Sequence, residues 1–257
     1  ESLFMKYIRE RVLGGEFMAG AWCNLGSSIT VEMAARAGFD WILIDQEHGP
    51  GDNMTLLHQI QAAEPWPGAV VVRIAWNEMP RFKRALDLGA SGIMVPYVQT
   101  PQEAADAVSF MRYPPEGLRG VASSPRATGF GRNFPQYFTD ANLNLLTVVQ
   151  VETGRTVENL EAIAEVPGVD VLFVGPLDLS VSLQKPGRFQ DPDFMEVLKH
   201  TATVAGKAGK AAGILLPGLS ELERVVSLGF TFVAVGSDGG MVSAAMNSYA
   251  EKLSKHK

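Results

Sequence analysis

The chain has 257 residues, of which 46% are hydrophobic and 19% charged, with a formal net charge of −6 at pH 7. This length exceeds that of most single domains but suits the largest single-domain α/β folds, and the composition is ordinary for a soluble globular enzyme. The acidic balance argues against a nucleic-acid partner, because phosphate binding needs a concentrated basic face and none is visible.

The single cysteine, Cys23, lies in an apolar run and can form no disulfide within the chain. That fits a reducing compartment, and the residue is interpreted as a small buried hydrophobe rather than a reactive thiol. The sequence shows neither a secretory signal pattern nor an apolar run of ~18 residues that would span a membrane. We therefore expect a cytoplasmic protein with no membrane partner.

Short apolar runs alternate with amphipathic stretches along the chain, and eight of these runs are predicted as strands. Each is rich in Val, Ile, Leu or Phe and is apolar nearly throughout, as expected for strands covered on both faces. The predicted strands are Phe17–Leu25, Trp41–Asp45, Ala69–Ala75, Gly92–Val98, Leu145–Glu152, Val169–Gly175, Ala211–Leu216 and Phe230–Gly236.

The amphipathic stretches between these strands predict helices, several of which begin at Ser or Pro and end at Gly. The predicted helices are Thr30–Ala37, Pro80–Leu88, Pro101–Met111, Thr156–Ala164, Asp193–Lys207, Ser220–Ser227 and Met241–Lys252. Alternating strands and helices favour a parallel sheet. Eight such units at this length favour one (β/α)8 TIM barrel domain over residues 1–257, with an open doubly wound sheet as the alternative.

One long region, residues 113–144, breaks this alternation. It is rich in Pro and Gly and contains Arg119, Arg126 and Arg132. Loops of this length in compact domains are usually functional or disordered. Because the region follows the fourth predicted strand, we expect it to lie over the mouth of the barrel, where substrates bind.

Polar side chains gather at the ends of four predicted strands. Asp45 and His48 follow from the second strand, Arg73 lies near the end of the third, Glu152 ends the fifth, and Asp178 follows the sixth. Such groups would be costly to bury without partners. Because catalytic groups of a barrel stand at the carboxyl ends of its strands, the pattern predicts an active site there.

The carboxylates Glu152 and Asp178 come just after adjacent strands. They would repel each other unless a cation lay between them, and oxygen ligands suit Mg²⁺ or Mn²⁺. Alternatively, either residue is a helix N-cap or the partner of an arginine. No lysine falls at the carboxyl end of a predicted strand, so the amine that a Schiff-base mechanism needs is missing, and a metal is the other way to stabilise an enolate.

Arg73 and His48 each allow two interpretations. An arginine inside an apolar strand must find an anion, which could be a substrate carboxylate, an enolate or a neighbouring acidic residue. His48 follows Asp45 by three residues, and a carboxylate that orients an imidazole fixes its tautomer and raises its basicity. The alternative for His48 is an ordinary histidine in a surface loop.

Several stretches, taken together, resemble the HpcH/HpaI family of aldolases. The similarity covers nearly the whole chain, from about Gly20 to Ala245, in order and without large gaps. The stretches that carry it are Gly38–Pro50, Arg112–Val121, Val149–Thr153, Phe173–Ser180 and Phe232–Asp238.

This resemblance implies a class II pyruvate aldolase that depends on a divalent metal, Mg²⁺, Mn²⁺ or Co²⁺. It implies that Glu152 and Asp178 are the metal ligands and that Arg73 holds the pyruvate oxygens and stabilises the enolate. It also implies a homo-oligomer, a hexamer arranged as a trimer of dimers, in which the last helix of each barrel is swapped between subunits.

The same resemblance assigns the remaining roles. His48 with Asp45 is the acid/base dyad, and Asp87 is a further carboxylate linked to it. The expected substrate contacts are Gln150, the backbone around Leu177 and Asp178, and Leu215 on the aldehyde side.

The sequence thus predicts cleavage or formation of 4-hydroxy-2-oxoacids, with pyruvate and an aldehyde as the other side of the reaction. The base would be His48 or a hydroxide on the metal. Decarboxylation of oxaloacetate at the same site is an alternative, because it passes through the same enolate. A barrel that only binds a carboxylate ligand is a third interpretation, and the aldehyde partner stays open.

Overall fold

The eight predicted strands all form, and they close in chain order into one parallel barrel. The structure, a computed structural model, describes residues 6–256; residues 1–5 and 257 of the predicted domain lie outside the described part. The prediction of a (β/α)8 barrel is confirmed. The strands are β1 (Met18–Cys23), β2 (Trp41–Asp45), β3 (Ala69–Arg73), β4 (Gly92–Val95), β5 (Leu146–Val151), β6 (Val171–Val174), β7 (Ala211–Leu216) and β8 (Phe230–Ser237).

Most of these strands are shorter than predicted at their carboxyl ends, whereas β2 and β7 match their predicted bounds. The residues lost from β3, β4 and β5 leave the sheet to form the turns at the mouth of the barrel. Glu152 is one of them, since β5 ends at Val151. Glu152, His48 and Asp178 therefore lie on the turns that face the mouth, whereas Asp45 and Arg73 are the last residues of β2 and β3 within the hydrogen-bonded sheet.

Most of the helices run back along the outside of the barrel, and several of the helices were not predicted from the sequence. The predicted helix Thr156–Ala164 is two short helices separated at Asn159. The helices are α1 (Arg9–Leu13), α2 (Ser28–Ala37), α3 (Asn53–Ala63), α4 (Met79–Leu88), α5 (Pro101–Met111), α6 (Phe134–Asn144), α7 (Gly154–Glu158), α8 (Leu160–Ala164), α9 (Pro176–Ser182), α10 (Pro192–Lys207), α11 (Leu222–Leu228) and α12 (Asp238–Ser254).

Side chains alternate between two hydrophobic layers along each strand, and β2 illustrates this. Trp41 and Leu43 point into the barrel, where the Trp41 ring stacks on Phe232 at 4.0 Å between centroids. Ile42 and Ile44 point outward and pack in the layer beneath the helices. This alternation turns the next residue, Asp45, toward the inside of the barrel at the mouth.

The region that follows α5 lies at the amino-terminal end of the barrel, so the expectation that residues 113–144 cover the mouth is wrong. Because α5 runs from the mouth back to the opposite end, the segment after it starts there. Arg126 donates to the carbonyl of Leu88 at the end of α4 and pairs with Glu64 beyond the end of α3. The second half of the region is the helix α6 rather than loop.

The last helix, α12, leaves the carboxyl end of β8 and has no buried residue along its length. Its exposed apolar side chains are Met241, Val242, Met246, Tyr249 and Leu253. Near its start, α12 borders an apolar groove of about 820 Å³ that also involves the ends of β7 and β8. Within residues 6–256, no helix is both long and apolar enough to cross a membrane.

Candidate active site

Asp45 and Arg73 form a buried pair at the ends of β2 and β3. They are direct register partners, and the Arg73 Nε and Nη2 atoms donate to Asp45 Oδ1 at 3.0 Å and Oδ2 at 2.6 Å. The indole N–H of Trp22, from β1, donates to Asp45 Oδ2 at 3.2 Å, and the Arg73 guanidinium lies 4.7 Å from the centroid of the Trp22 ring. The anion that Arg73 needs is therefore supplied by the protein.

Arg73 has a second acidic partner, because its Nη1 atom lies 2.8 Å from Glu47 Oε2. A guanidinium carries five N–H groups, and the two hydrogen bonds to Asp45 use one on Nε and one on Nη2. The contact with Glu47 is an ion pair without a hydrogen bond, so N–H groups on Nη1 and Nη2 are left for a further acceptor. Arg73 is thus held in one orientation and can still bind the oxygens of an anionic substrate.

The charge of Arg73 keeps Asp45 ionised. Burial alone would raise the pKa of this carboxyl, but its hydrogen bonds to Arg73, the positive charge there and the backbone N–H groups of His48 and Glu47 hold the pKa below its usual range. Burial raises the pKa of Glu47, and repulsion from Asp45 and Asp178 adds to this rise. The attraction of Arg73 opposes it. The pair is therefore a fixed ionic unit, while Glu47 is less firmly deprotonated.

Glu152 lies on the turn after β5 and is only 2% exposed. Its Oε1 accepts the backbone N–H of Tyr97 at 2.7 Å, and its Oε2 accepts the side-chain amide of Gln150 at 3.0 Å. A Cβ atom on Gly175, at the end of β6, would lie 2.7 Å from Glu152 Oε2. The carboxylate is thus enclosed from three neighbouring strands, and the absence of a side chain at Gly175 makes room for it.

Burial raises the pKa of Glu152 to about 7, although its hydrogen bond from Tyr97 opposes the shift. The negative charges of Glu47 and Asp178 raise the pKa further. Asp178 lies in the first turn of α9 and is exposed at the mouth. The carboxylates of Glu47, Glu152 and Asp178 therefore repel one another, and a cation between them would relieve this repulsion.

The donors at this site fit a hard divalent cation. Gln150 Oε1 is buried and has no hydrogen-bond partner among the described residues, and the carboxylates of Glu152 and Asp178 add further oxygens. No group of three or more His, Cys, Asp or Glu side chains in the described part of the chain converges closely enough to hold an ion by itself. Water or substrate oxygens would complete the coordination, as Mg²⁺ and Mn²⁺ accept.

The predicted side-chain contact between His48 and Asp45 is wrong. Asp45 Oδ1 accepts the backbone N–H of His48 at 3.2 Å, while the carboxylate faces Arg73 and Trp22. The His48 ring is 67% exposed, and its Nε2 atom lies 4.0 Å from Glu47 Oε1. The cause is strand alternation: Asp45 points into the barrel, whereas His48 has already left β2 for the loop at the rim.

The predicted link between Asp87 and His48 is also wrong within one chain. Asp87 lies in the last turn of α4, and α4 runs from the mouth to the amino-terminal end of the barrel. There it pairs with the buried Arg119 at 3.0 Å. His48 and Asp87 are therefore at opposite ends of the molecule.

The remaining predicted contacts lie at the mouth. Leu177 is exposed on α9, and Leu215 is partly buried near the end of β7, where it packs against the hydrophobic layer inside the barrel. Cys23 is buried, and burial raises the pKa of its thiol to about 12, in line with the interpretation as a hydrophobe. The described strands end in no lysine.

Sequence reasoning missed four residues of the site: Trp22, Glu47, Tyr97 and Gly175. Glu47 stands between Asp45 and His48, so its place in a polar strand end was a usable signal. Trp22 lies near the end of an apolar strand and was indistinguishable from a core residue. Tyr97 contributes a backbone N–H and Gly175 contributes empty space. Neither role can be recognised from the type of residue at that position.

Residues 18–245 match the family profile described as HpcH/HpaI aldolase/citrate lyase. The chain is 40% identical over 254 residues to a 5-keto-4-deoxy-D-glucarate aldolase from Klebsiella pneumoniae subsp. pneumoniae, with 99% of both chains covered. Its structure is similar to that of an HpcH/HpaI aldolase/citrate lyase family protein from Burkholderia cenocepacia, with a TM-score of 0.91 and 37% identity over 96% of this chain and 98% of that one. An HpcH/HpaI aldolase from Desulfitobacterium hafniense gives a TM-score of 0.88 and 28% identity, covering 98% of this chain and 96% of the other.

Proposed function

Because this chain belongs to the HpcH/HpaI aldolase/citrate lyase family, we propose that it cleaves 4-hydroxy-2-oxoacids into pyruvate and an aldehyde with the help of a divalent metal. The chain is a carbon–carbon lyase of that family. The observation that carries the proposal is the buried Glu152 carboxylate, whose raised pKa reflects burial and two neighbouring acids. It lies at the same mouth as the Asp45–Arg73 pair.

In this proposal, Glu152 and Asp178 hold the metal, with Gln150 Oε1 beside them. When bound, a divalent cation supplies Lewis-acid stabilisation of negative charge on the substrate oxygens. Mg²⁺, Mn²⁺ and Co²⁺ are the candidates. The protein would contribute no Schiff base, in keeping with strands that end in no lysine.

Arg73 binds the substrate through the N–H groups of Nη1 and Nη2 that Asp45 does not use. Asp45 fixes the guanidinium through two hydrogen bonds, and Glu47 holds the third nitrogen. The donors are oriented before substrate arrives, so little reorganisation is needed when negative charge develops on the keto oxygen. Leu177 and Leu215 border the space that the aldehyde half would occupy.

His48 is the proposed acid and base of the bond-breaking step. It takes the proton of the C4 hydroxyl as the C3–C4 bond breaks, and the bonding electron pair moves into the C2–C3 enolate, whose oxygen faces Arg73. The aldehyde leaves, and the proton returns from His48 to C3 to give the methyl group of pyruvate. The exposed position of His48 at the rim suits a group that meets the aldehyde half.

The first substrate to test is 5-keto-4-deoxy-D-glucarate, which relatives about 40% identical are named for. Aldol cleavage of this six-carbon diacid next to its keto acid group yields pyruvate and a three-carbon hydroxy-aldehyde acid. The proposal for this chain is therefore a sugar-acid substrate in a catabolic reaction. Oxaloacetate is the comparison compound, because its decarboxylation passes through the same enolate.

We also propose that the chain works as a homo-oligomer with α12 swapped between subunits, in a hexamer built as a trimer of dimers. Support comes from the lack of any buried residue on α12 and from the apolar groove of about 820 Å³ next to it. A second copy's α12 has the apolar side chains to fill such a groove. Light scattering after gel filtration would give a mass about six times 27.7 kDa for this assembly.

The deciding experiment measures pyruvate release with a coupled dehydrogenase, after exhaustive chelation and again after Mg²⁺, Mn²⁺ or Co²⁺ is returned. We expect activity on 5-keto-4-deoxy-D-glucarate to vanish on chelation and to return with metal, and Glu152→Gln to remain inactive throughout. Full activity after chelation would contradict the proposed dependence on a metal. Pyruvate release from oxaloacetate alone would mean that the reaction is decarboxylation. No pyruvate from any 2-oxoacid, with or without metal, would leave only a carboxylate-binding barrel.

A further inference from the structure

Tyr97, two residues past the end of β4, adopts a backbone conformation that residues with a side chain rarely use. Its φ is +55°, and in the described part of the chain only Phe130 and Gln184 share this left-handed region without being glycine. The conformation brings the β carbon close to the next carbonyl and costs free energy, so it persists only where the surroundings impose it. Such residues concentrate at functional sites.

The left-handed turn has a specific result, because it aims the Tyr97 backbone N–H at Glu152 Oε1, 2.7 Å away. The other oxygen, Oε2, is held by Gln150 Nε2 at 3.0 Å, and the absence of a side chain at Gly175 gives it the space it occupies. Each oxygen therefore accepts one N–H from the protein. The remaining lone pairs of both oxygens are left for a cation.

Contacts on both sides hold this turn in place. The Tyr97 ring lies 5.7 Å from the Trp76 ring at a tilt of 30°, and the two side chains are 40% and 49% exposed. On the other side, the carbonyl of Val98 accepts the hydroxyl of Thr156 at 2.9 Å, which ties the segment to the start of α7. The turn thus lies between the loops that follow β3 and β5, and the backbone bond at Val98 fixes it independently of the Tyr97 ring.

We propose that Tyr97 is a positioning residue for the metal site and acts through its backbone N–H rather than its side-chain hydroxyl. The left-handed turn, rather than the Tyr97 ring, holds the Glu152 carboxylate in the orientation that binds the cation. This proposal rests on the proposed role of Glu152 as a metal ligand.

The test compares substitutions at position 97 that differ in how well they tolerate a positive φ. Tyr97→Val disfavours the left-handed region because of its β-branch, whereas Tyr97→Asn tolerates that region and removes the ring. The measurement is the affinity for Mn²⁺ alone, from the electron paramagnetic resonance signal of free Mn²⁺ in a titration of metal-free protein. Loss of a group that orients a metal ligand typically weakens metal affinity by roughly 10–100-fold.

We expect Tyr97→Val to weaken Mn²⁺ binding by roughly 10-fold or more, Tyr97→Asn to stay within about threefold of the original protein, and Tyr97→Phe to match it. Phe130→Val is the matched control, since Phe130 has φ +57°, is 75% exposed and lies in the loop at the amino-terminal end. It should lose thermal stability without losing Mn²⁺ affinity. If Tyr97→Val does not fold, Tyr97→Ala replaces it and should bind Mn²⁺ less tightly than Tyr97→Asn.

Two results would overturn the positioning role: Mn²⁺ affinity in Tyr97→Val equal to that of the original protein, or equal losses in Tyr97→Val and Tyr97→Asn. The second result would assign the effect to the ring. If Glu152→Gln binds Mn²⁺ as tightly as the original protein, the assignment of Glu152 as a metal ligand is itself wrong. The two failures are therefore distinguishable in one set of titrations.

Discussion

The carboxylate of Asp45 faces the guanidinium of Arg73 through two hydrogen bonds, at positions that are direct register partners in β2 and β3. The pair links two adjacent strands at the bottom of the site and leaves N–H groups on Nη1 and Nη2 of Arg73 unused. In the proposed function, substrate binding and the contact between these strands therefore depend on the same side chains.

Asp45→Asn should damage both folding and turnover. An amide cannot accept both hydrogen bonds from Arg73, so a buried guanidinium loses part of its compensation, and we expect unfolding free energy to fall by about 3 kcal/mol. The activity, measured as kcat/KM for pyruvate release, should fall by at least about tenfold because the Arg73 guanidinium is no longer held in the orientation that binds the substrate. Denaturant unfolding and steady-state kinetics check the two effects.

The matched control is Asp170→Asn. Asp170 is as deeply buried as Asp45 and pairs with Arg9 at 2.9 Å, but it precedes β6 at the amino-terminal end of the barrel. It should lose a similar amount of stability while kcat/KM of the folded protein stays within about twofold. Equal losses of activity in both variants would mean that Asp45 acts only through stability.

Gly175→Ala should impair the proposed metal site specifically. The added methyl would lie 2.7 Å from Glu152 Oε2 and 3.2 Å from Gln150 Nε2, so the carboxylate must shift. We expect Mn²⁺ affinity to weaken by about tenfold or more, with a fall in activity that saturating metal only partly restores. Titration calorimetry with Mn²⁺ measures the first effect.

A glycine on α10 provides the comparison for that substitution. A Cβ atom on Gly206 would meet no atom within 4 Å. Gly206→Ala should therefore leave Mn²⁺ binding unchanged and raise stability by about 0.5–1 kcal/mol, as expected inside a helix. Weakening of Mn²⁺ binding by both substitutions to the same degree would exclude a local effect at Glu152.

The pH dependence of the metal-free protein should reveal Glu152. Burial raises the pKa of this carboxyl from 4.5 to about 7 in the folded state. Between these two values the folded state binds the proton more tightly than the unfolded state, so the free energy of unfolding falls as pH rises. The loss is complete above about pH 7 and amounts to roughly 3 kcal/mol at most.

Comparing Glu152→Gln with the original protein isolates this effect, because the amide does not titrate. The stability of the variant relative to the original should rise by up to roughly 3 kcal/mol between about pH 5 and pH 8. Denaturant unfolding in the presence of a chelator gives the measurement. A difference that does not change with pH would mean that Glu152 titrates near its ordinary value.

Met246→Glu should reduce the mass of the assembly. Met246 is exposed on α12, so a charge there costs the isolated chain little, but it would be buried in the groove of a partner if α12 is swapped. We expect light scattering to shift from the oligomer toward 27.7 kDa. Leu143→Glu, an equally exposed apolar position on α6, serves as the comparison and should keep the original mass.

Much of the barrel was readable from hydrophobic patterning. The runs Trp41–Asp45 and Ala211–Leu216 are apolar between polar or Gly and Pro boundaries, and both strands match the predicted bounds. Residues 113–144 were misplaced because the preceding strand was used to locate them, although the intervening helix α5 reverses the direction of the chain. The helix α3 was not predicted at all.

Predictions for the site were limited by side-chain direction. The strand-end rule brought Arg73, Glu152 and Asp45 to one face correctly. The spacing of Asp45 and His48 in the chain does not show which neighbour the Asp45 carboxylate faces. The register of β2 against β3 places Arg73 directly beside Asp45, and Arg73 is its partner. Asp87 was assigned from the resemblance alone, without regard to the end of the barrel at which α4 finishes.

The residues of the proposed site fall into a buried set and an exposed set, and the two sets suit different kinds of protein engineering. Arg73, Gln150 and Glu152 are buried and bonded to their neighbours, whereas His48 and Leu177 are exposed at the rim. Mutant libraries confined to the rim and to Leu215 can sample new aldehyde acceptors with little risk to the fold. Libraries that include the buried residues of the site would mostly select for chains that still fold. Screens for 2-oxoacids other than pyruvate therefore need a stabilised variant of the protein as the starting point.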